Sequence, residues 1–365
     1  MTRVAIYMSS LEGGGAERAM VDLANGLQSH GLTTDLVVIR DEGPWRALLS
    51  SDVRLTAIRS RWALTALAKL VRYLHRARPD VVVANGTSSI ILAIFARILS
   101  PRFAVVARIP VNLSAGLAEV NLKWRVIRAT QARLLPRVDA IVTNSLGSST
   151  DIHRTLPAAS ARVRTIHNPV VWPGLPKLAQ MAVEHPWFQR EDMPIVLAAG
   201  RLEPQKDHAT LIRAFSLVGQ HRDLRLVVLG EGSQRRNLVN LTHELGVADR
   251  VDLPGFHANP FAFMAKSRLF VVSSTQEGMP NVLIQAMACG TPVVSTDCPS
   301  GPREVLEDGK WGRLVPVGDP ERLADAMLAT LDDPPASDAL VARADVFSAE
   351  ASVRADLGLF EDLRR

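Results

Sequence analysis

Long apolar runs are missing from this chain. No stretch of about 18 uninterrupted apolar residues occurs, although 47% of the sequence is hydrophobic, and a membrane-crossing helix needs about that length. The first ten residues, MTRVAIYMSS, run straight into a strand-like segment and lack the charged, apolar and small-residue regions of a secretory leader. Both absences lead to the expectation of a cytoplasmic protein. Cysteine is scarce. Cys289 and Cys298 are the only two among 365 residues, which excludes a disulfide scaffold, and they show no metal-ligand spacing; both are expected as small buried hydrophobes. Aromatic residues amount to 5% and do not interleave with basic ones, which weakens any case for nucleic acid as partner. Acid is missing from one region. Residues 53–79 hold seven basic side chains (Arg54, Arg59, Arg61, Lys69, Arg72, Arg76, Arg78) and no acid, and residues 81–137 hold eight more against Glu119 alone. Such a half suggests an anionic partner surface, a membrane leaflet ahead of nucleic acid, with solvated helix faces as the competing reading.

What is present is a pattern. The length suffices for two domains, each with its own core. Apolar runs of strand length at 3–9, 35–40, 81–84, 103–109, 140–144 and 162–166 alternate with helical segments at 16–29, 64–78, 89–99 and 122–135. Pro169, Pro173, Pro176, Pro186 and Pro194 then break the pattern. A second series follows at 195–199, 224–230, 251–253, 269–273 and 292–296, closed by helices at 320–331 and 349–363 on either side of Pro334-Pro335. Alternation of this kind predicts two doubly wound, Rossmann-like parallel α/β lobes. The expected divisions are a first domain at 1–168, a linker at 169–193, a second domain at 194–348, and a terminal helix at 349–365 packing back on the first domain.

The richest stretch is 269–304, which reads as strand, helix and strand, a right-handed crossover with parallel strands. Its turn, Gln276-Glu277-Gly278-Met279, leaves a strand at the carboxyl end, where parallel sheets place their ligands. Pro280 suits a first helical position, which would leave the amides of Met279, Asn281 and Val282 unpaired at a helix N-terminus, an anion site. Glu277 is placed to accept from sugar hydroxyls, and Gln285, about two turns on, to meet a ribose; each reads equally well as a satisfied polar residue facing a loop.

A second group leaves the strand 195–199: Gly200-Arg201-Leu202-Glu203-Pro204-Gln205-Lys206-Asp207. Arg201 and Lys206 sit in a loop where both can converge on one small anion, a planar fork with a point charge, as suits a diphosphate. Surface pairs with Glu203 and Asp207 are the competing reading. After the first strand, Gly13-Gly14-Gly15 opens a helix and lets backbone approach a ligand closely, although it is not the dinucleotide fingerprint. None of the nine histidines is placed as a general base. His167 is expected at a cleft entrance or in a structural role.

GGAER after the first strand, GRLEPQKDH, GEG at 230–232, and EGMPNVLIQAMACGTPVVSTD followed by GPREVL together resemble the retaining glycosyltransferases of family 4, whose GT-B fold sets two lobes facing a central cleft. The resemblance implies transfer of a sugar from a nucleotide-diphosphate donor held by the second lobe to an acceptor held by the first. It implies no metal and no cofactor, in keeping with the lack of an Asp-x-Asp triplet. Arg201, Lys206 and Glu277 would form the catalytic set, the two cations neutralising the leaving diphosphate. Glu277 with the backbone of Gly278, Met279 and Pro280 would hold the donor sugar, with Asn281, Val282 and Gln285 beside it. Gly14 and Gly15 would approach from the first lobe, and Gly255 and Phe256 would lie near the base. Two positions depart from the family pattern. Gln285 replaces the second of two glutamates, exchanging a charge-assisted bond for an amide bond. A histidine that often follows the strand at 103–109 is missing, which leaves Arg108 and Asn112 as candidates for contact with the donor sugar.

The expected activity is hexosyl transfer, favouring a UDP-sugar, onto a lipid-linked or polysaccharide acceptor in cell-envelope glycan synthesis, cytoplasmic and peripheral on the inner membrane face, with no nucleic acid. A nucleotide-sugar epimerase on the same architecture and a non-catalytic nucleotide-sugar-binding protein are the alternatives. The first would require an acid/base set that the sequence does not offer.

Overall fold

The computed structural model of the chain describes residues 2–12, 14–100, 102–110, 112–114, 122–190 and 193–364. It divides into two compact units, Met1–Pro169 with Ala349–Arg365, and Val170–Ser348.

The first unit runs β1 (Arg3–Ser10), α1 (Gly15–Ser29), β2 (Thr33–Arg40), β3 (Arg54–Ala57), α2 (Ala63–Ala77), β4 (Val81–Asn85), α3 (Thr87–Leu99), β5 (Ala104–Ile109), α4 (Leu122–Leu134), β6 (Ala140–Thr143), α5 (Leu146–Thr155) and β7 (Val163–Thr165). Among the described residues its seven strands are ordered β3-β2-β1-β4-β5-β6-β7. All are parallel. β4, VVVAN, is buried at every position, as a strand covered on both faces must be. The layer on one face carries Leu70, Ala93 and Ile152, from α2, α3 and α5. The opposite layer carries Leu23 of α1 and Val353 and Phe360 of the last helix.

The second unit runs α6 (Leu175–Ala179), β8 (Ile195–Ala199), α7 (His208–Val218), β9 (Arg225–Leu229), α8 (Arg235–Glu244), β10 (Val251–Gly255), α9 (Pro260–Ala265), β11 (Leu269–Val272), α10 (Asn281–Ala288), β12 (Val293–Thr296), α11 (Pro302–Val305), β13 (Arg313–Val315), α12 (Pro320–Asp332) and α13 (Ser337–Asp345). Its parallel sheet, six-stranded among the described residues, is ordered β10-β9-β8-β11-β12-β13. In each sheet the winding direction reverses once, beside β1 and β4 in the first unit and beside β8 and β11 in the second. The two lobes are therefore doubly wound α/β units, a GT-B-type pair of domains.

The last helix, α14 (Ala349–Asp362), lies on α1 within the first unit. A Cβ at Gly26 would stand 2.4 Å from Val353 Cγ2. Glycine inside a helix costs roughly 1 kcal/mol relative to alanine, and here it permits the close approach of α14.

Two expectations are corrected. The linker expected at 169–193 is built into the second unit. Val170, Leu175 and Val183 are buried in its core, with Trp172, Trp187 and Phe188 packed on them, and the amides of Val170 and Val171 both donate to the Phe347 carbonyl at 3.1 Å. The prolines interrupt regular structure, but the apolar side chains between them still bury. The helix expected from Pro280 begins at Asn281, with Pro280 as its N-cap at φ −78°, ψ 78°. Its carbonyl accepts from Leu283 N at 2.9 Å.

Candidate active site

The loops that leave β8 and β11 are neighbours because these strands flank the reversal point of the second sheet, the place where doubly wound sheets bind ligands. Three bonds stitch them together. Thr275 N donates to the Gln205 carbonyl at 2.9 Å, Gln205 Nε2 to the Gln276 carbonyl at 2.7 Å, and Ser273 Oγ to the Lys206 carbonyl at 2.9 Å.

On this frame Lys206 Nζ lies 2.5 Å from Glu277 Oε1, and the same oxygen accepts from Ser274 Oγ at 2.7 Å. The side chains are 20% and 7% exposed. Ions this far out of water cost several kcal/mol each unless paired and hydrogen-bonded. Glu277 has two partners, and a ligand anion would offer Lys206 a second one. The Cys298 thiol adjoins the pair: burial, with Glu277's charge adding and Lys206's opposing, pushes its pKa up to about 12. Both cysteines are free, Cys298 buried and Cys289 half-buried.

The approach to Lys206 is a 3-10 turn over Pro204–Lys206, followed by Asp207 in the left-handed region at φ 43°. Asp207 caps α7, accepting from Thr210 N at 3.2 Å and Thr210 Oγ1 at 2.7 Å. Glu203 accepts from Ser233 N at 3.1 Å and Ser233 Oγ at 2.7 Å. Those bonds, aided by the charge of Arg201, hold its carboxyl below the usual range. Neither acid therefore pairs with Lys206, and the surface-pair reading of this loop does not hold for it. Arg201 is exposed, and its guanidinium makes no ion pair among the described residues.

The GEG segment supports this loop by backbone contact. Gly230 has φ +139°, and a Cβ there would fall 1.9 Å from the Gly200 carbonyl oxygen, so only glycine lets the two strand ends meet. Leu202 N donates to the Glu231 carbonyl at 2.8 Å, and Gly230 N to the Gly255 carbonyl at 2.8 Å. Gly255 thus ends β10 beside the loop, followed by Phe256, which is 51% exposed.

At the start of α10, the structure uses one of the three amides expected to be free: Asn281 N donates to the Met279 carbonyl at 2.9 Å. This tight turn is also what delays the helix by one residue. The N–H groups of Met279 and Val282 have no protein acceptor among the described residues. Gly278, Met279 and Pro280 are buried, while Asn281, Val282 and Gln285 are half-buried. Gln285 follows Asn281 by four residues and so shares its helix face.

Residues 13–171 match the family description "Glycosyltransferase Family 4", and residues 184–346 match "Glycosyl transferases group 1". The chain belongs to the family 4 glycosyltransferases. This glycosyltransferase is 29% identical over 344 residues, 91% of either chain, to the N-acetylgalactosamine-N,N'-diacetylbacillosaminyl-diphospho-undecaprenol 4-alpha-N-acetylgalactosaminyltransferase of Campylobacter jejuni. It is 29% identical over 318 residues, 86% of this chain and 84% of the relative, to the lipopolysaccharide core biosynthesis glycosyltransferase LpsE of Rhizobium meliloti. Its fold matches that of Anabaena HepE, solved with UDP and glucose, at a TM-score of 0.83 and 20% identity, covering 99% of this chain and 100% of that one.

In the first unit of the glycosyltransferase, Gly14 caps α1 in extended backbone at φ −178°, and Gly15 opens the helix; Gly13 lies outside the described residues. The other two candidates are deeply placed. Asn112 is 8% exposed, and its Oδ1 accepts from Ser148 Oγ at 2.9 Å. Arg108 is 4% exposed, and its Nη2 lies 3.1 Å from Oδ2 of Asp356, which is fully buried. A donor-contact role for Arg108 must therefore accommodate a charge already paired. His167 is half-buried, and its carbonyl accepts from Ser352 Oγ of α14 at 2.7 Å, so its backbone has a structural role.

Sequence reasoning missed Ser274, His208, Asn144 and Asp356. Ser274 stands inside the stretch 269–304 and His208 inside GRLEPQKDH, but nothing in their spacing separates them from their neighbours. His208 is buried beside Lys206, and burial, with the Lys206 charge adding, lowers its pKa to about 4. Asp356 carries no sequence signal, since its partner is 248 residues away.

Proposed function

We propose that this enzyme is a retaining, metal-independent glycosyltransferase of cell-envelope glycan synthesis, moving a sugar from a UDP-sugar to a lipid-linked or polysaccharide acceptor. In this reading the second unit binds the donor and the first binds the acceptor. One observation carries it: Arg201, exposed and without an ion pair among the described residues, and Lys206, held by Glu277 at 2.5 Å, share the loop that leaves β8 at the β8/β11 switch point. Two cations there would stabilise the negative charge that develops on a leaving diphosphate, the service a metal supplies elsewhere. Glu277 and the free amides of Met279 and Val282 would face the donor sugar. The names of the relatives, a diphospho-undecaprenol glycosyltransferase and a lipopolysaccharide core enzyme, support the acceptor class. The UDP and glucose bound by HepE support the donor.

The membrane part of the reading rests on the first unit, where Trp62 and Leu64 are 76% and 81% exposed within the acid-free basic stretch at 53–79. Exposed apolar side chains within a basic stretch suit an anionic leaflet. Among the described residues no helix is long and apolar enough to cross a membrane.

Thermal shift against UDP-, GDP- and ADP-sugars tests the donor: a UDP-sugar should stabilise the protein most. The anomeric configuration of the product tests retention, and an inverted anomer would end that part. Turnover that survives EDTA is expected, and full loss restored by a divalent cation would overturn the cationic assignment. Flotation with anionic liposomes tests membrane contact, and absence of the protein from the floated fraction would remove it.

A further inference from the structure

At the carboxyl end of the first sheet a small cavity opens among Asn85, Arg108, Pro110, Asn144, Ile166 and Asn168. Its floor follows from strand register. Asn85 pairs with Arg108, Arg108 with Val142, and Val142 with Arg164, so these positions point to one face of the sheet. Asn144, Ile166 and Asn168 continue that parity by steps of two. The enclosed space is about 10 Å³, widening to about 240 Å³ when the open mouth is included. The enclosed part is thus about the size of one water or hydroxyl group.

Two buried polar atoms in this lining have no partner: Arg108 Nη1 and Asn144 Oδ1. Asn144 is 7% exposed, and its Nδ2 donates to the Pro110 carbonyl at 3.2 Å, which fixes which end of the amide is oxygen. One donor and one acceptor therefore wait at the same cavity. Buried polar atoms left without partners are costly, so a group that both accepts and donates is favoured there. Charge narrows the choice. Arg108 is already neutralised by buried Asp356, so a phosphate or carboxylate brought to Arg108 would also meet the Asp356 carboxylate, and it would exceed the enclosed volume.

We propose that this cavity is a subsite for a single hydroxyl of a neutral glycosyl acceptor, which accepts from Arg108 Nη1 and donates to Asn144 Oδ1. The assignment rests on the proposed acceptor-binding role of the first unit, and it adds that the acceptor is read here through an uncharged sugar substituent.

Saturation-transfer NMR on the full chain with UDP present tests this, with methyl α-D-glucopyranoside as the neutral probe and glucose 1-phosphate as the anionic one. Saturation of the glycoside is expected in the wild type, reduced at least about fivefold in Asn144→Leu, with a weaker signal from glucose 1-phosphate in both. Asn144→Asp serves if the leucine variant melts early; it places a carboxylate in the same lining as Arg108, where it competes with the hydroxyl for Arg108 Nη1, and it should lower the glycoside signal without raising that of the phosphate. No glycoside signal in the wild type, an unchanged signal in the variants, or preference for the phosphate overturns the proposal. UDP binding by calorimetry is read separately: its absence sinks the donor reading of the second unit and leaves the subsite result standing on its own.

Discussion

Removing the cation from the Lys206–Glu277 pair is the most informative single perturbation. In Lys206→Met the Glu277 carboxylate, 7% exposed, keeps only the Ser274 hydroxyl as partner. Breaking a buried ion pair from one side costs about 3–5 kcal/mol, and because the Lys206 side chain is 20% exposed, the lower end, about 3 kcal/mol, is expected. For a unit of this size that is roughly 6–12 °C in Tm. Glu277→Gln leaves Lys206 with access to water and should cost less. The double variant Lys206→Met/Glu277→Gln, with no orphaned charge, should be at least about 1 kcal/mol more stable than the sum of the two singles. Urea unfolding of the four proteins measures this. Ligand affinity gives an independent arm. A charge-assisted bond to a diphosphate is worth about 1.5–3 kcal/mol, so UDP affinity measured by calorimetry should fall about 10- to 100-fold in Lys206→Met. In Glu277→Gln it should stay level or rise, since Lys206 loses its competing carboxylate. Additive stabilities, or equal loss of UDP binding in both single variants, would refute the reasoning.

Other outcomes follow from the same structure. His208 is neutral when folded, with its pKa lowered from 6.5 to about 4. The unfolded chain then binds the extra proton as pH falls through that window, and stability contributed above pH 6.5 is lost progressively towards pH 4, by about 3 kcal/mol. His208→Gln should flatten the pH dependence of the urea midpoint; an unchanged slope would remove His208 as its source. Burial pushes the thiols of Cys289 and Cys298 both up to about 12, so iodoacetamide at pH 8 should leave the native protein unmodified and label it on unfolding; rapid native labelling would contradict their burial. Asp356→Ala strands the Arg108 charge, 4% exposed, at a cost of about 3–5 kcal/mol. Hydrogen exchange should accelerate over α14, and unaltered protection there would show that the pair does not hold this helix.

Much of the protein was decided locally. β4 was legible from the apolar run Val81 to Ala84 because a strand buried on both faces needs apolar residues at successive positions, and the loop at 200–207 was legible as the exit from the strand at 195–199 because Gly200 and Pro204 interrupt its apolar run. Period and composition are properties of neighbouring residues, and the sequence contains them directly. Proline misled twice for the same reason: it marks where regular structure stops, but not that Val170, Leu175 and Val183 bury all the same, nor that the Asn281–Met279 turn keeps Pro280 outside its helix. Tertiary structure alone decided the strand order that sets β8 against β11, and with it the union of Lys206 and Glu277 across 71 residues. It also decided the pairing of Arg108 with Asp356 across 248 residues. No local period encodes those distances. They follow from how the sheets are wound and from the requirement that a charge carried out of water be met by another.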